Sequence, residues 1–152
     1  MAALSDYLEN KLIDHLLRTA TFSQPSVIAI ALCTAAPTGA DTGATIDEVA
    51  NANGYTRKAL NPSNSNWAAT QGGTSGASSG TDGITSNAID IEFDAASGSW
   101  GTITHIAVCD SATWGAGNLL FYGALSAPTA VDGGDQVTVD AGSLTLTIGQ
   151  CE

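Results

Sequence analysis

The chain has 152 residues, with 15 acids against 4 lysines and arginines and a formal net charge of −11 at neutral pH. That balance excludes a nucleic-acid face, which needs clustered Lys and Arg, whereas Arg57 and Lys58 make a single adjacent pair. No stretch reaches the ~18 consecutive apolar residues of a membrane span, so neither nucleic acid nor membrane is an expected partner.

The length fits a single domain over residues 1–152 with a core of its own. Charged residues are 12% of the chain, about half the ~25% of an ordinary globular domain. Gly, Ala, Ser and Thr take their place, a bias that suits tight turns and a surface covered in an assembly. Asp6 and Glu9 interrupt any secretory signal, so synthesis in a cytosol is expected.

Ser5 to Arg18 reads as a helix, with Ser5 as N-cap, Asp6 and Glu9 at its positive end, and His15 and Arg18 at its negative end. Leu4, Leu8, Leu12 and Leu16 fall four apart, widened by Ile13 and Leu17 into one apolar stripe. Two roles fit that stripe: an oligomer or docking contact, or packing against the body of its own chain. The β region spans 26–148. Ser26–Cys33 has an unbroken apolar run and should be a central strand, buried on both faces. A short strand is expected at Ile46–Val49. Asn53-Gly54 is a strong hairpin signal, and Tyr55–Leu60 follows as a strand with Arg57 and Lys58 exposed on it.

Trp67 stands in a polar stretch, either anchoring a loop or presenting an aromatic contact to a partner or glycan; Trp114 is a second candidate for that contact. Residues 70–83 are a Gly/Ser/Thr tract expected to be a flexible loop. In Ile84–Phe93, Ile89, Ile91 and Phe93 alternate with Asp90, Glu92 and Asp94. Those carboxylates hold a cation such as calcium only if the Asp132–Asp135 loop converges on them, because neighbours on one strand face lie about 6.5–7 Å apart.

Trp100–Leu125 reads as a long hairpin. Thr104, Ile106 and Val108 face one side, and His105, Ala107 and Cys109 the other, with a turn-rich loop at Asp110–Asn118. The returning strand should place Leu119, Phe121 and Gly123 on one face. Pro128 and Gly133-Gly134 then bound a loop, and Gln136–Asp140 and Ser143–Ile148 form a final hairpin. The pattern is mainly β: a single β-sandwich or jelly-roll-like domain of about eight strands with one N-terminal amphipathic helix.

No catalytic constellation emerges, and no cofactor or metal is expected. His105 and Cys109 share a strand face but stand about 13 Å apart, beyond any common bond or ion. Nucleophile-elbow, zinc and phosphate-loop spacings are missing from the sequence. Of three cysteines, Cys33 and Cys109 end apolar runs and should be buried. Cys151, at the chain end, is either an idle thiol or an interchain disulfide once outside a reducing cytosol.

Ala3–His15, Ile30–Pro37, Gly54–Arg57, Trp100–His105 and Asn118–Leu125 resemble, in order, a family of small phage proteins usually called tail fibre proteins, some of whose members look like virion decoration subunits. The insert at Thr70–Gly83, the loop around Trp114 and Cys151 depart from the family pattern. The resemblance implies a virion surface location, with the major capsid protein or a tail or fibre protein as partner. A capsid decoration or cement subunit is the first expectation, with a homotrimer favoured because three-fold positions suit such subunits; it would stabilise the lattice by mass action. The alternative is a tail-fibre or tail-tip module contacting host glycan.

Overall fold

The computed structural model describes residues 2–69 and 83–148. The Gly/Ser tract at 70–82 and Cys151 lie outside that range. Helix α1 (Asp6–Leu17) forms where the apolar stripe and cap place it, with the Ser5 Oγ accepting the Leu8 N–H at 3.3 Å. Nine strands accompany it among the described residues: β1 (Ala3–Leu4), β2 (Ala29–Cys33), β3 (Lys58–Ala59), β4 (Ile84–Ser86), β5 (Ile91–Glu92), β6 (Gly101–Cys109), β7 (Leu119–Val131), β8 (Thr138–Val139) and β9 (Thr145–Thr147). The protein is mainly β, as the alternation predicts.

Five strands make one antiparallel sheet in the order β1-β7-β6-β2-β3, and the other four pair as two ribbons, β4-β9 and β5-β8. All five residues of β2 are buried, as its continuous apolar run requires. Register sets Ile30 opposite Val108 and Leu32 opposite Ile106, so these four share one face of the sheet. The ribbons pack on that face through Ile91, Phe93, Leu144 and Leu146. Ala31, Cys33, Ala107 and Cys109 occupy the opposite face, where Leu119 lies beside Cys109 and Ile46 packs against the cluster.

The Asn53-Gly54 turn forms with both residues at positive φ (53° and 79°) and the Tyr55 N–H bonded to the Ala52 carbonyl at 3.0 Å. It does not join a paired hairpin. Instead the Asn53 carbonyl accepts from the Ser97 N–H at 3.0 Å and from the Trp100 indole at 2.9 Å. Tyr55 and Trp100 then meet edge to face at 5.3 Å, with Phe93 stacked on Tyr55 at 6.2 Å, at the centre of the core.

Several expectations change, and the short strand expected at Ile46–Val49 is reduced to an isolated bridge between Glu48 and Cys33. The strand after the turn shortens to β3, and Arg57 is buried rather than exposed; Lys58 is partly covered and pairs with Asp94 at 2.7 Å. The β6-β7 ladder slips between Val108 and Cys109, setting Leu119 opposite Cys109 while Phe121 stays opposite Val108. That bulge places Leu119 and Phe121 on different faces, because one extra residue reverses the period-two alternation. β7 also runs through Pro128 to Val131; the proline falls in a second irregularity, where a missing N–H breaks no ladder bond. Finally, β8 and β9 do not pair with each other but go to separate ribbons.

Asn87 explains that divergence. Its side-chain amide donates to the carbonyls of Ile89 and Asp140 at 2.9 Å each, and its Oδ1 accepts the Leu144 N–H at 2.9 Å. Its backbone carbonyl takes the Gly142 N–H at 2.7 Å. One side chain, 1% exposed, thus holds the segment between β4 and β5 against the turn between β8 and β9. The same bend turns Ile89 outward, 46% exposed, and ends the expected Ile84–Phe93 strand as two short ones.

Two predictions follow from this core. Asn87→Ala strands a buried N–H and two carbonyls and should lower unfolding stability in urea by about 3 kcal/mol; a loss below about 0.5 kcal/mol would show that the amide holds nothing. Burial, with Glu48 nearby, pushes the Cys33 thiol up to about 12, and burial pushes Cys109 up to about 11. In a Cys151→Ser background, neither thiol should react with Ellman's reagent near pH 8 until the protein is unfolded.

Candidate functional site

Arg57 underlies the surface that carries Trp114, joining the loops around Gly43 and Ala116 from below. It stands two residues from Tyr55 and shares its inward direction, so the side chain enters the protein beside the aromatic core. Its Nε and Nη2 meet the two oxygens of Glu48 at 2.8 and 2.7 Å, a bidentate pair whose side chains are 0% and 2% exposed. Nη2 also donates to the Gly43 carbonyl at 2.7 Å, and Nη1 to the carbonyls of Ser111 and Ala116 at 3.0 and 2.8 Å. All five guanidinium N–H groups are therefore used. Burial alone would lower the Arg57 pKa, but the Glu48 carboxylate overrides it and the shift is upward. Glu48 takes a further bond from the Tyr55 hydroxyl at 2.9 Å, and that hydroxyl accepts the Leu32 N–H at 3.0 Å.

On this base sits the 110–118 loop between β6 and β7. Asp110 closes it, accepting the Asn118 backbone N–H at 2.6 Å and its side-chain amide at 2.7 Å. Gly117, at φ 81°, is required: a Cβ there would stand 2.6 Å from Asp110 and Ser111 atoms. The Gly117 carbonyl accepts the Gly43 N–H at 2.9 Å, so two loops are fastened side by side. Trp114 stands at the tip. Its indole N–H donates to the Val49 carbonyl at 2.8 Å, and 43% of the residue faces solvent.

The structure separates the two tryptophan candidates. Trp67 packs against the core and donates to the Leu60 carbonyl at 2.9 Å, anchoring its loop. Trp114 is the one displayed. The leucine stripe divides too. Ser5 is buried, its hydroxyl bonding the Leu119 carbonyl and its N–H the Leu120 carbonyl, so the start of α1 is sewn to β7. Leu8 is buried, and Leu4 and Leu12 are half-buried. Leu16 is 72% exposed, with Ile13 and Leu17 beside it at 50% and 81%. The first turn packs on its own chain and the last turns do not.

The other candidates are engaged elsewhere. Asp90 accepts the Ala141 N–H, Asp94 pairs with Lys58, and Asp135 accepts the Asp132 N–H. Among the described residues, no group of three or more His, Cys, Asp or Glu is placed to hold a metal ion. His105 bonds the Thr104 hydroxyl at 2.8 Å, and His15 accepts the Phe22 N–H at 3.2 Å. The Arg57–Glu48 pair escapes a sequence reading that treats adjacent basic residues as surface. The usable signal is the period-two partnership with Tyr55, which carries Arg57 inward along with the aromatic ring.

Removing one partner of this pair leaves a buried charge uncompensated. Glu48→Gln or Arg57→Met should therefore destabilise the protein by about 3–5 kcal/mol. Arg57→Lys should recover little of that loss, since one ammonium cannot reach Glu48 and three carbonyls at once. Chemical denaturation of the three variants checks both statements, and a near-native midpoint for Arg57→Lys would refute the second.

No helix among the described residues is long and apolar enough to cross a membrane. A search of curated proteins finds no match. The family model described as Podophage GP4 fiber I protein gp80 matches residues 3–147, nearly the whole described fold. The chain belongs to that phage fibre protein family, and it is a structural, virion-associated protein of a bacteriophage.

Proposed function

We propose that the chain is a non-enzymatic, self-associating subunit of a phage fibre at the virion surface, and that the Trp114 loop is its contact for a partner or a host glycan. The observation that carries this reading is the mounting of Trp114. An indole with 43% of its surface in solvent is held by its N–H, on a loop fixed by Asp110, Gly117 and the buried Arg57. A rigid aromatic loses little conformational freedom on binding, and its face suits a sugar ring or a protein pocket. The fibre placement takes its support from the family description.

Capsid decoration is the second reading. A net charge of −11 suits the outside of a DNA-filled shell, and no shaft-like repeat is present among the described residues. Mass action would then be the mechanism, since a subunit that binds only the assembled lattice stabilises it. Quantitative mass spectrometry of purified particles, scaled to the major capsid protein, separates the two. A few to a few dozen copies are expected of a fibre; hundreds would move the protein to the capsid lattice, and none would remove it from the virion.

Trp114→Ala should leave the fold intact, with a stability change of about 1 kcal/mol or less, while lowering affinity for the partner surface at least about tenfold. Binding of the purified variant to host cells or particles lacking this protein, against wild type, measures it. Unchanged binding would remove Trp114 from the contact.

A further inference from the structure

The Asn53-Gly54 turn carries a reactive pair that neither the core nor the Trp114 surface uses. An asparagine followed by glycine is open to attack by the backbone on its side chain, because glycine has no Cβ to shield the attacking nitrogen. Both residues are exposed, and the Gly54 N–H donates to no acceptor among the described residues. Solvent and nucleophile are both at hand.

The turn nevertheless holds the pair apart. With φ of 53° and 79° and the Tyr55 N–H on the Ala52 carbonyl, it belongs to the mirror-image class whose first central residue has ψ near about +30°. Viewed down the Cα–C bond, the Asn53 Cβ then lies far round from the Gly54 nitrogen. Closing a five-membered ring needs the two nearly eclipsed, so Asn53 must first leave the left-handed region. Its side chain is held as well. The Nδ2 donates to the Ser99 carbonyl at 2.9 Å, and the amide lies so close to Gly98 that a Cβ there would stand 2.9 Å from Asn53 Cγ. Turning ψ would also carry the Asn53 carbonyl away from its two donors, the Ser97 N–H and the buried Trp100 indole.

We propose that Asn53 is a conformation-gated deamidation site, closed in the folded chain and open in a chain whose Trp100 segment has not docked. In the open chain the Gly54 nitrogen loses its proton to solvent base and bonds to Asn53 Cγ. The Cγ–Nδ2 bond breaks and ammonia leaves. One water then opens the succinimide at either carbonyl, giving aspartate or isoaspartate with no change of oxidation state. Either product exchanges the amide donor for a carboxylate, which has no N–H to offer Ser99. Isoaspartate also routes the main chain through Cβ and Cγ, displacing the carbonyl that Ser97 and Trp100 share. The modification is a one-way mark: an unfolded chain acquires it, and a chain that carries isoaspartate cannot remake the clasp.

Peptide mapping with an isoaspartyl methyltransferase reads the mark on the full chain, held with reductant in mildly alkaline buffer, with and without urea above the unfolding midpoint. The folded chain should gain it at least about a hundredfold more slowly than the unfolded one, since the reaction follows the open fraction. Rates within about threefold of each other, or no mark in urea, would overturn the gate. A second arm reads the consequence. Chains aged in urea are returned to buffer and given a short protease pulse, beside an Asn53→Gly control that keeps the turn and lacks the amide. The control and the unmodified fraction of aged wild type should survive, while the isoaspartyl fraction is digested. Survival of the isoaspartyl fraction equal to that of the unmodified fraction in the same sample would overturn the one-way mark, whether or not the glycine variant folds well.

Discussion

The bidentate pair of Arg57 and Glu48 is the constraint on which the displayed surface depends. Two charges taken out of water cost several kcal/mol each, and their mutual attraction offsets that only when every remaining hydrogen-bonding group is satisfied. Here the residual donors are used on backbone carbonyls at Gly43, Ser111 and Ala116. The ion pair is therefore also a clamp, since its own solvation requires the 43–48 and 110–118 loops to stay where they are. An apolar replacement of equal volume could fill the space but could not hold three carbonyls. Loop order at Trp114 is a by-product of charge burial.

Much of this fold can be read from local chemistry. The Ser5 cap and leucine spacing place α1, the β-branched run places β6, and the Gly, Ser and Asn content of 110–118 places its loop. Each rests on interactions within a few residues. What resists reading is set by partners far along the chain. A single extra residue at Leu119–Leu120 reverses which face each later side chain meets, and no pattern in that stretch marks the slip. Asn87 looks like an ordinary turn residue until the β8-β9 turn arrives beside it. Asn53-Gly54 forms its turn as the dipeptide dictates, but tertiary bonds to Ser97 and Trp100 decide what the turn is for.

The low charge content acquires a structural meaning in the same way. Of a small supply of cations, one is placed inside the body, one is fixed across strands, and the remaining two ride on the helix. Net negative charge sets one copy against another over most of the surface.

The stitching of Ser5 to Leu119 spans 114 residues. During synthesis the start of α1 leaves the ribosome first, yet its seat on the sheet exists only after β7 has been made. The helix seat is thus completed late, whichever order the central strands adopt. A chain that has not yet made β7 has no seat for its first helix. Topology makes the first helix a late closure of the fold, fastened only when the longest strand has arrived.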